Sequence, residues 1–309
     1  MGEEACRFLR NYSDEAPFAM MVGFPGPHCP YDPNQEYLDA IDPEKMPPAV
    51  PEVPGDAPKV RQNNIDGNRA SWNGVDYTEF TDAHKQKIRA HYAASVQQID
   101  YEIGQILDTL EEQGVLENTI IIFASDHGDY LGDHNLIGKG TFFEGSIHVP
   151  LMVRLPAGRT IGVSTDMVQL GDVTATILAA AGVDVPGHMD SIPLPLLGLP
   201  GSSFREHLVG MVSGGWMLYQ GMWKLAKYST GEALLFNLFD DPDEQHNLID
   251  DPAHRQRFRE MDALLTQEIM QAMVLSHHDK RVYSKESLSG DPAFGRRGWL
   301  RTYPQPLVD

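Results

Sequence analysis

Residues 119–134 read Thr-Ile-Ile-Ile-Phe-Ala-Ser-Asp-His-Gly-Asp-Tyr-Leu-Gly-Asp-His, and a Lys-Gly pair follows at Lys139. The first six residues are mostly apolar and β-branched, which predicts a buried parallel strand over Thr119–Ala124. The polar residues after it would leave the carboxyl end of that strand, where open α/β sheets bind their ligands. The sequence therefore predicts an α/β fold with a functional loop directly after this strand.

The loop after this strand carries side chains that bind divalent cations. Asp126 offers carboxylate oxygens and His127 offers an imidazole nitrogen, on a loop punctuated by glycines. Oxygen and nitrogen donors of this kind suit a divalent metal ion. A carboxylate that follows a buried strand needs a hydrogen bond or a metal, because its burial without a partner is costly. Helix capping is the alternative for Asp126, and orienting another ligand is the alternative for His127.

Three further segments, together with this loop, resemble the sulfatase family of the alkaline phosphatase superfamily. They are PFAMMVGFPGPHCPY at residues 17–31, FEGSIHVPLMV at residues 143–153 and LFNLFDDPDEQHNL at residues 235–248. The segments occur in the family's order and are spread over most of the chain. The resemblance implies an alkaline phosphatase-like α/β sheet flanked by helices, incomplete at its amino terminus, with a small carboxy-terminal antiparallel sheet and a helix.

The resemblance also implies roles for individual residues. Lys139 matches the family lysine that contacts the sulfate, where its charge would neutralise the ester and stabilise the leaving oxygen. His28 matches the histidine that faces the sulfate and can donate a proton to that oxygen. Asp126 and His127 match metal ligands, with Ca²⁺ as the expected ion and Mn²⁺ or Mg²⁺ as alternatives. Without the motifs, Lys139 would be assigned to the surface and His28 to a proline-rich turn.

Parts of the family pattern are not found in this sequence. They are the strand that ends in paired metal-binding aspartates, the CxPSR-like motif that yields the formylglycine nucleophile, and a GKWHLG-like segment. Cys6 and Arg10 have the spacing of the second motif but lack its intervening residues, and Gly2–Asn11 instead predicts an amphipathic helix. We therefore expect the chain to correspond to the later two-thirds of a sulfatase and to be inactive alone.

The function that the motifs indicate is metal-dependent hydrolysis of a small sulfuric ester. Two alternatives stay open. The first is a phosphonate monoester or phosphodiester hydrolase of the same superfamily, which shares the Asp-His-Gly loop and the lysine. The second is a non-catalytic remnant or a subunit that acts only with a separate amino-terminal chain.

Composition excludes several other classes of protein. The 309 residues carry 44 acidic and 24 basic side chains, a formal charge of -20, which argues against nucleic-acid or anionic-membrane partners. The two cysteines, Cys6 and Cys29, provide no disulfide framework, and the sequence contains no apolar run of 18 residues that would cross a membrane. The compartment stays open because the family's own amino terminus is not matched, with the cytoplasm favoured.

Hydrophobic periodicity predicts the remaining elements. We expect helices over Gly2–Asn11, from Thr81 or Asp82 to Gly114, over Gly171–Ala181 and over Pro252–Met273. We expect strands from Pro17, around Val149–Leu155, and in four short runs between Leu208 and Leu238 that form a small antiparallel sheet. Residues 42–66 contain six prolines and predict an irregular surface excursion.

These elements predict three parts of the chain. They are a sulfatase-like α/β catalytic domain over residues 1–200 that lacks its first part, a small α+β subdomain over residues 201–275, and an extended tail over residues 276–309. Aromatic and proline residues between Phe294 and Leu307 are typical of a tail that docks on another subunit. We therefore expect a homo-oligomer held through the tail, with a disordered tail as the alternative.

Overall fold

The computed structural model describes residues 1–13, 16–52, 57–70, 76–156, 162–187, 189–212 and 214–278. Its α-helices are α1 Gly2–Asn11, α2 Gln35–Asp39, α3 Pro58–Ala70, α4 Asp82–Glu112, α5 Glu144–Ile147, α6 Gly171–Ala180 and α7 Arg255–His278. Its strands are β1 Ile121–Ala124, β2 Leu151–Arg154, β3 Leu208–Val212, β4 Gly215–Gln220, β5 Trp223–Tyr228 and β6 Ala233–Asn237. The predicted tail falls almost wholly on residues 279–309, which lie outside the described residues, so the predicted tail-mediated oligomer stays a prediction.

Helix α4 is the longest element and supports the amino-terminal helix. Thr81 caps it reciprocally with His84, and Gly114 follows its end at a φ of 68° that glycine adopts without strain. Both ends confirm the prediction. Helix α1 packs across α4 through a shared apolar cluster of Ala5, Cys6, Leu9, Ile106 and Leu110. Cys6 is therefore a core residue of α1, as the amphipathic pattern predicts.

The strand predicted from Pro17 is not observed, although its side chains alternate in burial as those of a strand do. Side chains alternate between partly buried and exposed from Phe18 to Phe24, and the inward set packs on the α1–α4 cluster. Met21, on the outward set, is 95 % exposed. Among the described residues, however, this segment pairs with no strand. The alternation reports which face is buried, whereas a strand also needs a neighbour that supplies backbone hydrogen bonds.

The buried parallel strand predicted at Thr119–Ala124 is also corrected. Strand β1 covers the last four of these residues, is half-buried, and pairs antiparallel with β2 in a two-stranded sheet. The register places Ala124 opposite Leu151. The loop over residues 125–150 therefore leaves and returns at the same end of β1, and such a return requires antiparallel pairing. The loop still emerges from the carboxyl end of β1, as predicted.

The proline-rich excursion is more regular than its composition predicts. A single 3₁₀ turn occupies Pro43–Lys45, and helix α3 begins at Pro58 and buries Val60 and Ile65. Proline is compatible with the first position of a helix because the amide that it lacks has no intrahelical acceptor there. The predicted irregular excursion is observed over residues 42–52 apart from the 3₁₀ turn, and the prediction is wrong from Pro58 onward, where α3 begins.

The four carboxy-terminal strands form the predicted antiparallel meander, in the order β3-β4-β5-β6. One face of this sheet packs on α7, through Leu218, Leu225, Leu235, Met261 and Leu265. The other face packs on the loop that follows β1, through Met217, Ala226, Phe236, Tyr130, Phe142 and Phe143. The sheet therefore lies between α7 and the predicted functional loop, and it forms one wall of the core beneath that loop.

Candidate active site

Asp126 and His127 lie at the start of the loop after β1. The backbone amide of His127 donates to Asp126 Oδ1 at 3.0 Å, and His127 Nδ1 lies 2.8 Å from the carbonyl oxygen of Gly128. Because a carbonyl only accepts, Nδ1 carries the proton of the neutral ring and Nε2 presents a lone pair. His127 Nε2 lies 3.5 Å from Asp126 Oδ2. One carboxylate oxygen and one imidazole nitrogen thus converge on the same space.

The burial expected for Asp126 is not observed. Its side chain is 85 % exposed, because the chain turns into solvent as soon as β1 ends. The argument that burial forces this carboxylate to have a partner therefore does not apply. Its exposure leaves the carboxylate accessible to an ion from solvent instead.

His28 and Lys139 contact each other although 111 residues separate them. Lys139 Nζ lies 2.7 Å from His28 Nε2, and His28 Nδ1 lies 2.8 Å from the carbonyl oxygen of Cys29. A charged lysine only donates, so Nε2 is the acceptor and Nδ1 donates to the carbonyl. The His28 ring also meets the His127 ring edge to face, with centroids 5.6 Å apart. The structure brings the predicted residues together in one cluster.

Asp129 holds this cluster in place, although no motif assigns it a role. Its carboxylate accepts hydrogen bonds from the Tyr31 hydroxyl at 2.8 Å and from the backbone amides of Leu131 and Gly138, each at 3.0 Å. Tyr31 follows His28 by three residues, and Gly138 directly precedes Lys139. Asp129 itself follows His127 by two residues. One carboxylate therefore ties together the three segments that carry the candidate residues.

Electrostatics match this positioning role. Burial raises the pKa of Asp129, while the bonds from Leu131 and Tyr31 oppose the rise. Burial and the neighbouring Asp129 charge raise the pKa of Tyr31 well above its ordinary value, so its hydroxyl remains a donor. No sequence spacing points to this pair, because Tyr31 and Asp129 are 98 residues apart.

Asp133 and His134 order the far end of the loop. Asp133 accepts from the Val50 amide at 2.7 Å and pairs with Arg89, and the His134 amide donates to the Val50 carbonyl at 2.8 Å. The His134 ring stacks on Phe143 with centroids 4.0 Å apart. These contacts fix both residues within the loop.

Glu144 and His148 form a further contact just beyond the cluster. The Glu144 side chain is largely buried, and its Oε2 lies 3.0 Å from Nδ1 of His148, whose side chain is 78 % exposed. In the structure, the described contact of His148 is with Glu144.

Asp126 and His127 provide fewer donors than a complete metal site needs. Among the described residues, no group of three or more His, Cys, Asp or Glu side chains could enclose a metal ion. Asp126 and the Nε2 atom of His127 supply two suitable donors, whereas Ca²⁺ takes six to eight oxygen ligands. The described residues therefore fit part of a metal site.

Comparison with known proteins identifies the family. A family model described as "Sulfatase" matches residues 1–183, which is more than half of the chain. This chain belongs to the sulfatase family. A second model, described as the carboxy-terminal part of N-sulphoglucosamine sulphohydrolase, matches residues 132–271. The family predicted from the motifs is confirmed.

Relatives of this sulfatase family member are considerably longer. The arylsulfatase of Clostridium perfringens is 31 % identical over 277 residues, which cover 86 % of this chain and 56 % of the relative. The choline-sulfatase of Rhizobium meliloti is 31 % identical over 258 residues, which cover 79 % of this chain and 49 % of the relative. The chain thus spans about half the length of these relatives.

Solved structures confirm the alkaline phosphatase-like α/β fold class. An enzyme in complex with its substrate D-glucosamine-2-N,6-O-disulfate superposes with a TM-score of 0.71 at 19 % identity, over 87 % of this chain and 68 % of that one. A phosphonate monoester hydrolase of Agrobacterium radiobacter superposes with a TM-score of 0.69 at 22 % identity. The match covers 90 % of this chain and 60 % of that one. No helix within the described residues of this sulfatase family member has the length and apolar character needed to cross a membrane.

The loop geometry predicts a strict requirement for glycine at position 128. A Cβ added there would lie 2.2 Å from the carbonyl oxygen of Gly145, a backbone atom that cannot rotate away. We expect Gly128→Ala to destabilise the protein by about 1–3 kcal/mol in urea unfolding, as overpacking does. The control is Gly104→Ala inside α4, where no atom lies within 4 Å of the added Cβ. This change should stabilise by up to ~1 kcal/mol, and equal effects of the two substitutions would contradict the predicted close approach.

The buried His134 predicts a pH dependence of stability. Burial, together with the charges of Arg61 and Lys224, lowers its pKa from 6.5 to about 4. The unfolded chain then binds more protons than the folded protein between these values, so the free energy of unfolding falls as the pH drops from about 6.5 through about 4. His134→Asn, which tolerates the local φ of 53°, should flatten this slope in urea titrations.

The matched control for this titration is His246→Asn. His246 is 79 % exposed and lies 3.6 Å from Asp241 at the surface, so this substitution removes a histidine that is not buried. A wild-type slope in His134→Asn would show that other groups cause the acid sensitivity.

Proposed function

We propose that this chain carries the sulfate-binding and leaving-group half of a metal-dependent sulfuric ester hydrolase. The observation that supports this most strongly is the 2.7 Å contact between His28 Nε2 and Lys139 Nζ, beside His127. A cation and an imidazole that meet at one exposed point suit an anionic ester that must receive a proton on its leaving oxygen.

The contact between His28 and Lys139 suggests how the ester binds. Lys139 is exposed and donates to His28 in this structure. A sulfate oxygen that approaches Lys139 competes with His28 for the ammonium protons. Nε2 of His28, released from Lys139, then takes a proton from solvent and passes it to the leaving oxygen, which returns the ring to its neutral form. In this account, Lys139 neutralises the sulfate and His28 moves the proton.

Asp126 and His127 are proposed as ligands of a divalent cation, with Ca²⁺ favoured and Mn²⁺ or Mg²⁺ as alternatives. Their convergent donors, Asp126 Oδ2 and His127 Nε2, support this. When bound, such a cation supplies charge that neutralises the sulfate oxygens. Because these two residues offer only part of a ligand set, we expect weak binding by the chain alone.

We further propose that the chain does not turn over sulfate esters by itself. The paired aspartates and the nucleophile motif of the family have no counterpart in its sequence. A phosphonate monoester remains the alternative substrate, since a lysine and a histidine suit any tetrahedral anionic ester. The substrates named for related proteins do not decide between the two.

Binding of 4-nitrophenyl sulfate, measured by calorimetry with and without CaCl₂, tests the proposed function. We expect Lys139→Ala to weaken binding about tenfold or more, because a hydrogen bond to a charged group contributes about 1.5–3 kcal/mol. Lys45→Ala is the matched control, since Lys45 is 80 % exposed and pairs with Asp42 at the surface. Asp126→Ala should abolish any enhancement by calcium.

Three outcomes would contradict the proposal. Equal affinities of wild type and Lys139→Ala would remove Lys139 from the sulfate site. A calcium effect that persists in Asp126→Ala would place the ion elsewhere. Much tighter binding of 4-nitrophenyl phenylphosphonate than of the sulfate would favour the phosphonate hydrolase.

A further inference from the structure

Lys224 is a fully buried lysine that joins two motif segments. Its side chain is 1 % exposed on strand β5. Its Nζ donates to Glu144 Oε1 at 2.7 Å and forms an ion pair with Glu244 Oε1 at 2.5 Å. The two glutamates belong to the segments at residues 143–153 and 235–248 that carry the family resemblance, yet the proposed chemistry uses neither. A buried ammonium group requires such partners, because an unpaired charge would be very costly there.

The position of Lys224 on its strand directs it toward the functional loop. Side chains on a strand alternate between faces, so Lys224 shares a face with Ala226 and Tyr228. Those two residues belong to the core that packs against the loop, whereas Leu225 points toward α7. Lys224 therefore reaches the loop from inside the sheet.

The chain between Lys139 and the start of α5 at Glu144 is held by side chains. Five consecutive backbone amides donate to side-chain oxygens: Gly140 to Ser146 Oγ, Thr141 to the Tyr130 hydroxyl, Phe142 to the Tyr228 hydroxyl, Phe143 to Thr141 Oγ1 and Glu144 to Glu244 Oε2. The last of these has a carboxylate acceptor and is the shortest, at 2.7 Å. Charge-assisted bonds of this kind are about twice as strong as neutral ones.

Lys224, Glu144 and Glu244 form a charged triad, and its charges support the same arrangement. Two carboxylates face one ammonium group, and burial disfavours a net charge. Burial accordingly raises the pKa of Glu244, against the opposing effects of Lys224 and of the Glu144 amide, while the charge of Glu144 adds to the rise. Burial raises the pKa of the Tyr130 hydroxyl, and the charge of Glu244 adds to the rise. His148 Nδ1 pairs with Glu144 Oε2.

We propose that Lys224 is a positioning residue that, through Glu144 and Glu244, holds Lys139 against His28. The inference rests on the proposed role of Lys139. Lys224 fixes both carboxylates, Glu244 fixes the Glu144 amide, and that amide ends the five-residue segment that begins next to Lys139. Asp129 fixes the other side of Lys139 through the Gly138 amide. The two glutamates that appear in separate sequence motifs thus serve one structural purpose.

The test compares Lys224→Met with Lys227→Met in the complete chain. Lys227 lies on the same strand and pairs with Asp262 at 2.5 Å, away from the loop. Its substitution therefore removes an ion pair but leaves the contacts of Lys224 intact. Two quantities are measured below the unfolding temperature. They are amide hydrogen exchange of residues 140–144 and the rate of Lys139 acetylation by acetic anhydride, relative to that of the exposed Lys45.

We expect Lys224→Met to raise exchange of these amides and relative acetylation of Lys139 by about tenfold, the change expected from loss of a bond to a charged group. Lys227→Met should change neither. If Lys224→Met lowers the melting temperature but leaves both quantities at their wild-type values, the triad is only structural and the proposal fails.

A second variant keeps the proposal testable if Lys224→Met does not fold. Glu244→Gln preserves an acceptor for the Glu144 amide but removes its charge, and it should raise both quantities above their wild-type values, whereas Lys227→Met leaves them unchanged; wild-type values in Glu244→Gln would overturn the proposal. Where Lys224→Met folds, the double variant lacks one of the two carboxylates that Lys224→Met leaves unpaired, so both quantities should return partly toward wild type. Effects of the two substitutions that simply add would contradict the coupling.

These measurements are independent of sulfate binding. If the protein does not bind 4-nitrophenyl sulfate but shows the expected exchange and acetylation changes, the positioning role of Lys224 is supported and the proposed function is contradicted. If the protein binds the ester in a Lys139-dependent way but Lys224→Met changes neither exchange nor acetylation, the proposed function is supported and the positioning role of Lys224 is contradicted.

Discussion

The carboxylate of Asp129 accepts hydrogen bonds from the Tyr31 hydroxyl and the Gly138 amide, and the geometry of the site depends on these bonds. Their donors belong to the segments that carry His28 and Lys139, which are 111 residues apart. A carboxylate suits this task because its two oxygens accept several hydrogen bonds at once. The His91 ring on α4 also contacts the Tyr31 carbonyl, at 2.9 Å, so the longest helix supports the same junction.

The functional loop is as much a part of the core as of the surface. Tyr130, Phe142 and Phe143 are buried against the inner face of the carboxy-terminal sheet, while Asp126 and Lys139 of the same loop are exposed. Buried aromatic side chains thus fix the loop from below and leave the charged groups free to meet a ligand. Rigid support of this kind is what a binding site requires, because loosely held groups lose affinity and rate.

Local patterns predicted the helices α1, α4, α6 and α7 and the four-stranded meander, because periodicity and caps are encoded within each segment. The antiparallel partner of β1 and the absence of a partner for the segment after Pro17 could not be predicted from local sequence. Strand pairing depends on segments that are distant in the sequence. The motif resemblance pointed to His28, Asp126, His127 and Lys139, whose proposed roles stay predictions, and the structure places them in one cluster. Asp129 and Lys224 were missed for one physical reason: their partners are distant in sequence and are set by the tertiary fold.

The ¹⁵N chemical shifts of the His28 ring nitrogens, recorded at neutral pH in the wild-type protein and in Asp129→Ala, test the central claim most directly. The account predicts a single neutral tautomer in the wild type, protonated at Nδ1 and accepting from Lys139 at Nε2. In Asp129→Ala, a mixture of tautomers should replace it while the protein remains folded. Protonation of Nε2 in the wild type, or an unchanged single tautomer in the folded variant, would contradict the account.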